Sequence, residues 1–132
     1  METLGIHHVA LNVEDVTEGV RFYCEALGGR LRADRPDIGI DGAWIDLGSQ
    51  QVHLLQAPVP PNLGQHLALR VDDLDAAVAE LRGRGLDVGD PSPVGSGRQA
   101  FVTDPSGNAV ELHEMGPASP GPDERGGSHG AA

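Results

Sequence analysis

Lysine is absent from this 132-residue chain, cysteine occurs once, and only Phe22, Tyr23, Trp44 and Phe101 carry phenyl, phenol or indole rings. Nine arginines face 20 acidic residues, which leaves a net charge of −11. So negative a surface lacks the basic patches that nucleic acid or an anionic membrane requires, although it tolerates a cationic or neutral ligand. Cys24 alone excludes an intrachain disulfide and a Cys-rich zinc site, and in the context Arg21-Phe22-Tyr23-Cys24 it reads as a small buried helix residue. The scarcity of aromatics argues against a cleft built on ring stacking. No run approaches the ~18 apolar residues of a membrane span. Met1–Gly5 lacks the basic-then-apolar pattern of a signal peptide, so a cytoplasmic protein is expected.

What is present suffices for one domain: 39% of residues are apolar in a chain of single-domain length. Residues 116–132 are nearly all Gly, Pro, Ala and polar groups. They are read as a disordered tail, and His129 within it is discounted as a ligand. Within 4–115 the sequence repeats itself. His8-Val9-Ala10-Leu11-Asn12-Val13 matches His66-Leu67-Ala68-Leu69-Arg70-Val71 at an offset of 58 residues (66 less 8), and the same offset carries Val20 to Val78, Asp46 to Asp104 and Leu54 to Leu112. Two copies of one module, 5–56 and 63–114, follow from that register.

Each module opens on a strand. Val9, Leu11 and Val13 alternate with His8, Ala10 and Asn12, and Leu67, Leu69 and Val71 alternate with His66, Ala68 and Arg70. A helix follows. Asp15 and Glu18 form a capping-box pattern before Val16, Val20, Tyr23 and Leu27, ending at Gly28-Gly29; the second helix starts near Asp73 and ends around Gly83–Gly85. Hairpins close each module, Ala43–Leu47 with Gln51–Gln56 and Gln99–Thr103 with Ala109–Glu114. Asp104-Pro105-Ser106-Gly107 has the composition of a type I turn. The module is βαββ or βαβββ, a further strand falling near Leu31–Arg35. Trp44 is expected to face the helix, with Ile45 turned the other way.

Four residues stand out on this frame. His8 and His66 are equivalent on the first strands, and His53 and Glu111 are equivalent on the last strands, opposite the faces of Val52, Leu54, Val110 and Leu112. If the modules pair about a pseudo-two-fold axis, three imidazoles and one carboxylate converge on one concave surface and suit a divalent metal. His113 shares a face with Glu111 and is a candidate to orient a ligand or contact substrate. Gln99 and Phe101 are placed to line the cleft, and Arg98 and Arg70 to meet an anionic substrate, whereas His7 is assigned to the opposite face from His8.

Taken with Phe22-Tyr23, Leu27-Gly28 and Asp104-Pro105-Ser106-Gly107-Asn108-Ala109-Val110-Glu111-Leu112, these motifs resemble the vicinal oxygen chelate superfamily over nearly all of 5–115. That group includes glyoxalase I, methylmalonyl-CoA epimerase, extradiol dioxygenases, fosfomycin-modifying enzymes and bleomycin-binding resistance proteins. The resemblance implies an α+β fold: two tandem βαβββ modules forming a curved, open eight-stranded mixed sheet around a cleft, helices outside. By position it makes His8, His66 and Glu111 metal ligands and Phe101 a substrate contact. His53 stands where glyoxalase I-like members place glutamate and epimerases glutamine. Fosfomycin enzymes usually carry threonine where this chain has Ala10.

The expected function is that of a glyoxalase-type lyase or isomerase acting on a small oxygenated substrate. One divalent ion (Zn, Ni, Fe or Mn) held by His8, His53, His66 and Glu111 would stabilise a developing enolate or oxyanion, with His53 or Glu111 as base. The alternatives are an Fe(II) dioxygenase using His8, His66 and Glu111, or a non-catalytic binder of a small antibiotic. Exposed sheet edges and the family habit point to a homodimer whose site can be shared between subunits.

Overall fold

Two aspartates start the two helices. In the computed structural model, which describes residues 1–117, Asp15 Oδ1 accepts a hydrogen bond from the Glu18 amide at 3.1 Å and Asp73 Oδ1 accepts from the Ala76 amide at 3.0 Å. Each cap satisfies an orphan N–H of the first turn. The box expected at Asp15 is only half formed, because the Glu18 carboxylate turns to Arg21 at 3.2 Å instead. Most of the expected 116–132 tail, with His129, lies outside the described residues.

The elements run β1 (His8–Val13), α1 (Val16–Arg21), β2 (Arg30–Leu31), β3 (Gly42–Leu47), β4 (Gln50–Gln56), β5 (Leu67–Arg70), α2 (Leu74–Gly83), β6 (Ser92–Val94), β7 (Gly97–Thr103) and β8 (Ala109–Glu114). The chain is therefore α+β, with two βαβββ modules. The regular helix expected to continue to Leu27 widens after Arg21 into a π turn over Phe22–Ala26. That turn buries two consecutive aromatics, Phe22 and Tyr23, edge to face at 5.0 Å. The weak strand expected at Leu31–Arg35 is reduced to Arg30–Leu31.

Strand order is β1-β4-β3-β2 in one sheet and β5-β8-β7-β6 in the other, so the repeat is topological as well as sequential. β1 runs parallel to β4 and β5 parallel to β8, while the remaining pairs are antiparallel. The single eight-stranded sheet is corrected to two open four-stranded sheets. β1 and β5 each pair on one side only, and no ladder joins them among the described residues. Val52, Leu54, Val110 and Leu112 face the helices as expected and enter one hydrophobic core with Tyr23, Ile45, Leu74 and Val78. His53 and Glu111 consequently fall on the opposite faces.

The modules are joined through the 104–108 turn. Gly107 N–H donates to the Asp104 carbonyl at 3.0 Å, closing the expected turn. From it, Ser106 Oγ accepts from the Glu14 amide and Asn108 Nδ2 donates to the Asn12 carbonyl, both at 2.9 Å. Tyr23 Oη donates to Asp104 Oδ2 at 2.8 Å in the interior. A first prediction concerns the helix caps. Asp73→Ala should cost about 1 kcal/mol of stability by stranding the Ala76 amide, read as a lower urea midpoint at unchanged slope; an unchanged midpoint would show that the cap is idle.

Candidate functional site

A two-residue turn at Gly48-Ser49 sets the geometry of the first sheet. Leu47 pairs with Gln50, so Trp44 lies directly across from His53 and Ile45 from Val52. Ile45 takes the core position, and Trp44 shares the face of His53, which reverses the expectation for both residues. The indole stacks on the His53 ring at 4.7 Å and 14°, and His8 stacks on the other side at 3.9 Å and 10°. Few aromatics thus did not preclude a stacked wall, because imidazoles supply two of its three rings. His7 is not on a separate face: it precedes β1, escapes strand alternation, and places Nδ1 2.8 Å from His8 Nδ1.

His53 is 9% exposed, and its Nε2 lies 2.8 Å from Gln51 Oε1. Burial, reinforced by the charges of His8, His7, Arg35 and Arg32, holds its pKa below the ordinary imidazole value. It is therefore neutral near pH 7.

The second sheet carries the equivalent pair. His66 precedes β5 and directs Nε2 to Glu111 Oε1 at 3.0 Å, while His113 directs Nδ1 to Glu111 Oε2 at 2.9 Å. Glu111, 8% exposed, accepts from both rings. Phe101 sits across from Glu111 in the β7–β8 register and meets His66 edge to face at 5.2 Å; Gln99 sits across from His113. His66 Nδ1 faces the Gly64 carbonyl at 2.8 Å. That carbonyl, then Glu111, raises the His66 pKa, since both ring nitrogens face acceptors. His66, Phe101, Thr103 and Asn62 line a cavity of about 420 Å³.

The four expected ligands are thus brought together two by two. His8 and His53 meet on one sheet, and His66 and Glu111 meet on the other. Among the described residues no group of three or more His, Cys, Asp or Glu side chains is disposed to hold a metal ion. Arg98 is not brought to this surface. It lies on the helix-facing side with Ala100 and Val102, where it pairs with Asp75 at 3.0 Å and Glu114 at 3.3 Å; Glu114 in turn accepts from the Leu74 amide that opens α2. Arg70, across from His113, does share the Glu111 face. It also lines a cavity of about 760 Å³ between α2, β5 and the Gly48-Ser49 turn. Gln51 was not singled out from sequence; its period-2 relation to His53 was the available signal.

Comparison with known proteins agrees with this architecture. The model of the glyoxalase/bleomycin resistance protein/dioxygenase superfamily matches residues 5–112, and the chain belongs to that superfamily. It is 29% identical to the Escherichia coli protein YaeR, over 83% of this chain and 95% of that one. It is also 29% identical to a lactoylglutathione lyase of Arabidopsis thaliana, matching 83% of this chain but only 44% of the longer relative. Among solved structures, the antibiotic-binding protein TnmS3 from Streptomyces sp. CB03234 superposes with a TM-score of 0.71 at 29% identity, covering 87% of this chain and 98% of that one. No helix among the described residues is long and apolar enough to cross a membrane.

Proposed function

We propose that the chain is a divalent-metal-dependent enzyme of glyoxalase type, a lyase or isomerase acting on a small oxygenated molecule. The observation that carries this reading is the pair of equivalent half-sites, His8 with His53 and His66 with Glu111, at matching places on two sheets and facing away from the core. Three imidazoles and a carboxylate suit Zn, Ni, Fe or Mn. In chemistry the donors fit such an ion; in number each half-site supplies two, so we assign the complete set to a homodimer, one half-site from each copy. Superfamily membership and the lyase relative support the same class.

A bound divalent ion would supply Lewis-acid stabilisation of negative charge developing on substrate oxygens. The protein's own groups do the rest. His53, kept neutral by burial and by its neighbours, has a single free lone pair, which serves either as a ligand to the ion or as the acceptor of a substrate proton. Glu111, with both oxygens engaged by imidazoles, is the better ligand and the poorer base. Phe101, against His66, forms an apolar wall at the second half-site.

Untagged protein should retain about one divalent ion per chain, as one complete site per subunit requires. His66→Ala and Glu111→Gln should each bring that close to zero, measured by elemental analysis after dialysis. Wild-type protein that takes up none of Zn, Ni, Fe or Mn would remove the metalloenzyme reading. In that event the flat stack of Trp44, His53 and His8, with the likeness to TnmS3, favours a binder of small planar molecules, and the net charge of −11 suits a cationic one.

A further inference from the structure

We propose that Trp44 and Gln51 are positioning residues that hold the His53 imidazole in one ring plane and one tautomer, leaving Nδ1 as its working nitrogen. The inference rests on the reading above that His53 ligates a metal or accepts a proton, and it says which atom does so and what prepares it.

The ring plane is set from both sides. Trp44 on β3 and His8 at the start of β1 lie at centroid separations of 4.7 and 3.9 Å, within 14° and 10° of parallel. Aromatic rings are about 3.4 Å thick, so rotation about the Cβ–Cγ bond would drive the ring edges into both neighbours. Packing of the protein body does not account for Trp44. The hydrophobic core is built from its neighbour Ile45 and from Ala43, and Trp44 takes no part in it. What the indole covers is the face of His53.

The tautomer is set from the end. Gln51 stands two residues before His53 on the same strand and the same face, with Oε1 2.8 Å from Nε2. An amide oxygen only accepts, so Nε2 carries the hydrogen. A neutral imidazole has one ring hydrogen, and the lone pair is therefore on Nδ1. Outer partners of this kind orient ligating histidines elsewhere, and losing one typically weakens metal binding about 10- to 100-fold. At position 53 the outer partners are this chain's own, Gln51 below the ring edge and Trp44 above its face.

Three measurements on the protein test this. Nitrogen–proton correlation spectra of the imidazoles in the metal-free protein should show His53 as the Nε2–H tautomer in wild type and in Trp44→Phe, and should show its loss in Gln51→Leu. Zinc affinity, read by competition with a chromophoric chelator, should fall about 10- to 100-fold in Gln51→Leu and in Trp44→Ala, while Trp44→Phe, which keeps a ring in the stack, stays near wild type. Because Trp44 is the sole tryptophan, its fluorescence should also respond to Ni or Co titration, and that response should be lost in His53→Ala. An Nδ1–H tautomer in wild type, or wild-type zinc affinity in both Gln51→Leu and Trp44→Ala, overturns the proposal. Wild type with the Nε2–H tautomer that binds no metal instead overturns the metal-dependent reading and leaves the positioning intact.

Discussion

Asp104→Ala should lower the unfolding free energy by about 3–5 kcal/mol. Asp104 is 5% exposed and accepts from four donors: Tyr23 Oη at 2.8 Å, and the Ser106 amide, the Asn108 amide and Asn108 Nδ2, each at 2.9 Å. Alanine leaves all four without their acceptor. Tyr23 is the worst placed, because it is fully buried and has no water to turn to. Burial and the Asp104 carboxylate both push its phenol far above the usual range, so it remains a donor at any pH the fold survives. Tyr23→Phe removes one bond and leaves Asp104 three, and should cost about 1.5–3 kcal/mol. Urea melts of both variants decide it. If Asp104→Ala melts within about 1 kcal/mol of wild type, the turn does not hold the modules together as described.

Co-expressing two metal-free variants should restore metal binding. One carries His8→Ala with His53→Ala, the other His66→Ala with Glu111→Gln. If a complete site takes one half from each subunit, every heterodimer has one intact and one doubly broken site. Random pairing then gives about a quarter of the wild-type metal per chain, because half the dimers are mixed and each mixed dimer has one good site of two. A site completed within one chain gives none. Separation of differently tagged chains followed by elemental analysis reads the result directly, and zero metal in the mixed dimer, with each variant dimeric and folded, excludes the shared site. Two features favour the shared arrangement: among the described residues no strand ladder joins the sheets that carry the half-sites, and β1 and β5 both leave an edge unpaired.

The offset of 58 residues made the modules legible because duplication preserves strand parity: once Leu54 faces a helix, so does Leu112, and His53 and Glu111 must face away. The helix starts at Asp15 and Asp73 and the turn at Asp104 were readable for a local reason, since a cap or turn involves only a few consecutive residues. Trp44 was misplaced because alternation fixes a face only relative to a register. The register was available in the Gly48-Ser49 turn, whose two residues oblige 44 to meet 53. Arg98 was misread because its partners, Asp75 and Glu114, lie on other elements and meet it only after α2 packs on the sheet. How the two modules sit against each other left no trace in the repeat. That depends on long-range contacts such as Tyr23 with Asp104, across 81 residues of chain.

As the proposed ligands, the equivalent residues His53 and Glu111 would give the scaffold a simple route to a different metal. One position on β4 and its counterpart on β8 currently hold a borderline nitrogen donor and a hard oxygen donor. Interchange between imidazole and carboxylate at either place alters donor hardness, and with it the preference along the divalent series, while the outward-facing position leaves the aliphatic interior untouched. On that reading, duplication separates the choice of ion from the evolution of the fold.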